Sequence, residues 1–172
     1  MKKFYLFTLL CLLASGVAAQ TLKIHTGAIT TAVPAAEAGE MLYSADGTAL
    51  TVMGRTYLVS EIDSITADRS QVAPASVAVS YEGASARVLV AADVAPQLSI
   101  TVSGADVVVY ADAALETEVT YALSGASTDG SFFMEGEYKS TLVLNNLTLS
   151  NTRGAAIDIA NGKRLSVVIP TG

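Results

Sequence analysis

The chain has 172 residues, with 10 Lys and Arg against 16 Asp and Glu, a single His, a single Cys and no Trp, for a formal net charge of −6. An acidic chain whose longest basic run is Lys163-Arg164 excludes an electrostatic hold on nucleic acid or on an anionic membrane surface. The shortage of charge and the abundance of Ala, Val, Thr and Ser favour strands over amphipathic helices, in a chain long enough to bury a core.

Met1-Lys2-Lys3, an uncharged apolar run from Phe4 to Leu13 and small residues at Val17 and Ala19 read as a secretory signal peptide over residues 1–19, cleaved before Gln20. The reading implies export, to the medium or the cell surface. Cys11 lies among leucines inside the apolar run rather than closing it, which disfavours acylation. The mature chain then holds no cysteine, so disulfides and thiolate metal sites are excluded, and losing Lys2 and Lys3 takes the charge to −8. No later apolar run approaches membrane-spanning length.

Residues 20–68 suggest a small β-rich N-terminal module. Leu22, Ile24 and Thr26 alternate before Gly27, Asp46-Gly47 marks a turn, and Leu50, Val52, Tyr57 and Val59 suggest further strands. Only Pro34 to Met41 looks helical, for one or two turns ended by Gly39. Leu22-Lys23-Ile24-His25, Gly54-Arg55-Thr56-Tyr57 and Glu61-Ile62-Asp63-Ser64-Ile65 together resemble the N-terminal segment of many secreted and surface proteins of Gram-negative bacteria, in which the segment precedes a carbohydrate-related domain. Residues 69–75, polar and containing Pro74, form a linker. Residues 76–97 then predict a hairpin, with Val77, Val79 and Tyr81 on one strand, Glu82-Gly83 at the turn and Ala86, Val88 and Val90 on the other. It is a candidate N-terminal cap for a solenoid beginning at Leu98.

Beyond it the chain repeats. Val102, Leu123 and Leu144 each end an apolar alternation and each precedes a polar pair, at intervals of 21 residues, with a near-copy at Ile169 a further 25 on. In the last full unit, Leu142 and Leu144 share one phase and Leu147 and Leu149 the other, so a corner at Asn145-Asn146 would let all four leucines face one interior. The extra residues of the final unit fit between Ala160 and Arg164. Units of this length made of short strands cannot bury their own apolar faces and must stack. The expected fold is therefore all-β, a right-handed parallel β-helix over residues 98–172 preceded by the N-terminal module. Leu165, Val167 and Ile169 would lie at an uncapped end, an arrangement that predicts a fragment of a longer helix.

Tyr121-Ala122-Leu123-Ser124-Gly125, Asp129-Gly130, Thr141 to Leu149 and Gly154-Ala155-Ala156-Ile157 are similar to a family of secreted bacterial β-helix domains classed as carbohydrate-binding. The resemblance covers Val119 to Gly172 closely and Leu98 to Ala113 loosely. It implies a pectate-lyase-like fold and an acidic polysaccharide ligand of the polygalacturonate kind. The family's calcium ligands fall on no residue that can be matched here.

Candidate functional residues are drawn from their chemistry. Asp129, Glu135, Glu137 and Asp158 are acids within or beside the repeats, and Asp129 and Asp158 are candidate Ca2+ ligands if stacking brings them together; the alternative is a solvated acidic surface. Arg153, Lys163 and Arg164 are the basic residues downstream of Lys139, suited to pairing with a uronate, or else ordinary loop charges. Of the adjacent Phe132 and Phe133 only one can face the core, which makes Phe133, with Tyr138, a candidate platform for a sugar ring. Asn145 and Asn146 read as structural corner residues. No catalytic residue is assigned, because His25, the single histidine, is far in sequence from the acids and no nucleophile or phosphate-loop signature occurs. The expected function is non-catalytic binding of an acidic polysaccharide, calcium-assisted. A polysaccharide lyase using Arg153 and Asp158, or an adhesive surface solenoid, are the alternatives.

Overall fold

The computed structural model describes residues 20–39 and 41–170; the expected signal peptide lies outside them. The protein is all-β, with no α-helix among the described residues. Its first strands are β1 (Thr21–Thr26), β2 (Ile29–Pro34), β3 (Leu42–Tyr43), β4 (Ala49–Val52), β5 (Arg55–Leu58) and β6 (Ser64–Asp68). β3, β4 and β5 form a small antiparallel sheet. Asp46 shapes its first turn by accepting hydrogen bonds from the Ser44 hydroxyl at 2.6 Å and the Thr48 N–H at 3.1 Å. Those contacts hold its carboxyl down at about 2. Ile24, Val33, Leu50, Val52 and Tyr57 pack into one apolar cluster with Ala92. The helix expected over Pro34 to Met41 does not form: Pro34 is still paired with Thr21, and Ala35 to Glu37 make a single turn. So short a segment gains too few bonds to offset helix nucleation.

The 69–75 stretch carries no strand, and β7 (Ser76–Glu82) and β8 (Ser85–Ala91) come next as the expected hairpin. Alternation sets its inner face: Val77, Val79, Tyr81, Ala86, Val88 and Val90 are all buried. β8 also pairs in parallel with β2, so one eight-stranded sheet runs β15-β13-β11-β7-β8-β2-β1-β6, where β11 is Val119–Ser127, β13 Ser140–Leu149 and β15 Leu165–Val168. The remaining strands, β9 (Leu98–Ser103), β10 (Asp106–Ala111), β12 (Ser131–Gly136) and β14 (Ile157–Asn161), form a second sheet in the order β14-β12-β10-β9.

From Asp106 onward the chain alternates between these two sheets. β10, β12 and β14 pair in parallel in one, and β7, β11, β13 and β15 in the other. Phe132, Met134, Val107 and Val109 meet Val79, Tyr121, Leu123 and Leu142 in a single buried cluster between them. Each large side chain buried there contributes about 1.5–3 kcal/mol of transfer free energy.

Three expectations about the repeat change. Gly104-Ala105 is a two-residue hairpin turn joining β9 to β10 antiparallel, like Gly27-Ala28 and Gly83-Ala84, each with its glycine at positive φ. Leu98 to Val109 is therefore a hairpin and not a first circuit in register with the others. Asn145-Asn146, in contrast, is not a corner. β13 runs straight through it, and the register slips there, Ser124 pairing with Asn145 but Gly125 with Leu147. Asn146, at φ 49°, is the extra residue of a β-bulge. The bulge restores the phase, so that Leu142 is buried and Leu144, Leu147 and Leu149 all pack against the same core. The longer final unit owes its extra residues to that bulge and to the connection from Ser150 to Ala156, not to Ala160–Arg164: Ser131 starts β12 12 residues after Val119, whereas its counterpart Ala156 comes 16 after Ser140.

Candidate glycan-binding face

On β10, Val107 and Val109 are buried, so Asp106, Val108 and Tyr110 must point away from the core. On β12, buried Phe132 and Met134 turn Ser131, Phe133 and Glu135 the same way, and on β14 Asp158 and Ala160 do so. Parallel register places Phe133 between Val108 and Asp158, and Tyr110 beside Glu135. The Tyr110 and Phe133 rings lie 5.7 Å apart at 60°, with Tyr110 half exposed. Thr101 and Ser99 flank them from β9. The outer face thus carries an aromatic pair in its middle, hydroxyls on one side and the Glu135 and Asp158 carboxylates on the other.

At one end of this face stands Arg153. The Asn151 side chain accepts from the Arg153 N–H at 2.9 Å and donates to the Ala155 carbonyl at 2.9 Å, which folds the loop between β13 and β14 into a fixed turn. Arg153 then reaches Asp106 at 2.8 Å and Asp129 at 3.6 Å. The Ser131 hydroxyl also donates to Asp106, at 2.6 Å, and with Arg153 holds its carboxyl below the usual range. Asp129 is lowered too, first by the Thr152 hydroxyl at 2.9 Å, then by the Thr152 N–H and Arg153. Asp106, Asp129 and Arg153 border a shallow depression of about 500 Å³ together with Gly83, Gly104 and Thr128.

The sequence-derived candidates are distributed unevenly over this geometry. Phe133 and Asp158 are neighbours on the outer face. Asp129 is occupied by Thr152 and Arg153, and among the described residues no three of His, Cys, Asp and Glu group as a metal site. The basic residues do not cluster: Arg153 precedes β14 and Lys163 and Arg164 come after it, so a strand of roughly 17 Å separates them. Arg164 pairs with Glu118 at 3.2 Å, while Lys163 is exposed. Tyr138 is not a surface platform. It is 2% exposed, and its hydroxyl meets that of Tyr121 at 2.5 Å inside the core. Burial raises both phenols above their ordinary pKa, Tyr121 well above it. Its charged neighbours Glu137 and Lys139 suggest a solvated loop, but alternation in the turn carries Tyr138 inward while both of them stay exposed. His25 sits between the Thr30 and Thr66 hydroxyls, at 3.0 and 2.9 Å, on the N-terminal strands rather than on this face.

Tyr110 and Asp106 are residues of the face that the sequence reading does not single out. Tyr110 is placed by the same alternation that turns Asp158 outward, since it is two residues beyond Val108 on a strand whose odd positions are buried. Asp106 meets Arg153 only because two circuits of the chain stack between them. No protein-family model, curated protein or solved structure matches this chain.

Proposed function

We propose that this is an exported, non-catalytic carbohydrate-binding protein that holds its glycan on the outer face of the four-stranded sheet. The observation that carries the reading is the Tyr110–Phe133 pair, an aromatic surface bordered by polar acceptors on a rigid sheet. Aromatic faces take the C–H face of a pyranose ring, and convergent polar groups then orient its hydroxyls. Strands hold such groups with less loss of freedom than loops would. The alternation of parallel strands between two sheets further supports the first circuits of a right-handed parallel β-helix, since parallel crossovers take that hand almost without exception. The absence of catalysis is part of the proposal: the carboxylates Glu135 and Asp158 lie exposed on the face, and Arg153 at its end is bound by Asp106 and Asp129.

The acidic-polysaccharide form of this reading has less support than the general one. A uronate needs a free basic fork or a bridging cation. Arg153 and Arg164 are both engaged by carboxylates and stand at opposite ends of β14. The protein is expected to be retained on at least one glycan of an immobilised panel of acidic and neutral polysaccharides, and to release no unsaturated uronides or reducing ends from it. Retention on none, or product release, would overturn the proposal.

A further inference from the structure

We infer that the glycan taken by this face is an uncharged polysaccharide, an inference that rests on the carbohydrate-binding reading above. The strands β9, β10, β12 and β14 contain no Lys or Arg at any position. Their acids are Asp106, Glu135 and Asp158. Asp106 is neutralised by Arg153, but neither Glu135 nor Asp158 forms an ion pair among the described residues. Glu135 is the register partner of Tyr110, and Asp158 that of Phe133. A ring stacked on either aromatic therefore lies about one strand spacing, roughly 5 Å, from a carboxylate.

That arrangement sorts ligands by charge. A uronate would bring its own anion against an unneutralised one, with no Lys or Arg on the four strands to offset it. A neutral sugar brings hydroxyls, which donate to carboxylates in charge-assisted hydrogen bonds and cost no repulsion. Ser99 and Thr101 add neutral donors and acceptors on the far side of the rings. The row Thr101, Val108, Phe133, Asp158 crosses four strands, a span of about 14 Å, which accommodates more than one pyranose. The basic residues that would favour an acidic chain lie beyond the ends of β14.

The test uses the full chain against immobilised β-glucan, galactan, mannan and xylan, against polygalacturonate with calcium and with chelator, and against chitosan. Retention is expected on at least one neutral polymer, unchanged by chelator and weakened about five- to tenfold by Tyr110→Ala. Retention on polygalacturonate alone, in either condition, would overturn this inference and leave the carbohydrate-binding reading standing. Preference for chitosan would overturn it in the same way, by assigning the carboxylates to a cationic sugar. Neutral retention that Tyr110→Ala leaves unchanged would remove the ligand from this face. Retention on none of the polymers would overturn both readings.

Discussion

Gly125→Ala is expected to destabilise the protein by about 3–5 kcal/mol, the sum of backbone strain and steric overlap. Gly125 sits inside β11 at φ 85°, a conformation that L side chains rarely adopt. A Cβ there would also overlap the Tyr81 carbonyl oxygen on β7, and backbone cannot swing aside as a side-chain tip can. Gly83 supplies the control. It too has positive φ, at 67°, but a Cβ there meets nothing within 4 Å, so Gly83→Ala should cost only about 1–2 kcal/mol. Urea denaturation of both variants checks the pair. Equal losses would mean that the close approach of β7 to β11 does not constrain residue 125.

The second large effect is a non-additive one. Tyr121→Phe is expected to cost about 1–3 kcal/mol, because it strands the Tyr138 hydroxyl in the core without its partner. Tyr138→Phe strands the Tyr121 hydroxyl in the same way. The double variant removes donor and acceptor together and should lie close to the wild type, or at most near the milder single change. A double-mutant cycle by thermal or chemical unfolding measures this coupling. Additive losses would show that the two hydroxyls do not depend on each other.

That tyrosine pair also marks where sequence reading ends. Periodicity alone identifies the inward residues of β7 and β8, because antiparallel neighbours joined by a two-residue turn are a local matter. It likewise identifies the phase change in Leu142 to Leu149 and the common facing of its leucines. It does not say what produces the change. The dipeptide Gly-Ala turns the chain at residues 27–28, 83–84 and 104–105, yet at 125–126 it lies within a continuous strand. The difference is that β11 is flanked on both sides by parallel strands, and those partners are not sequence neighbours.

The face itself was half legible. Phe133 and Asp158 are given by alternation, and the same rule applied to Val107 and Val109 also yields Tyr110. The pairing of Arg153 with Asp106 is beyond that rule. It depends on a step of 25 residues from Asp106 to Ser131 and again to Ala156, which the shorter spacing of Leu123 and Leu144 conceals. Adjacency in sequence misleads in the opposite sense for Arg153, Lys163 and Arg164, which a single intervening strand sends to opposite ends of the sheet.

Whether the ligand lies across Tyr110 and Phe133 is decided by assigned NMR spectra of the protein, recorded during titration with an oligosaccharide of whichever polymer retains it. The largest shifts are expected on Val108, Tyr110, Phe133, Glu135 and Asp158, with the Tyr110 and Phe133 ring protons moving furthest. Shifts centred on Asp129 and Arg153, or on Lys163 and Arg164, with the two rings unmoved, would place the ligand elsewhere and refute the assignment of this face.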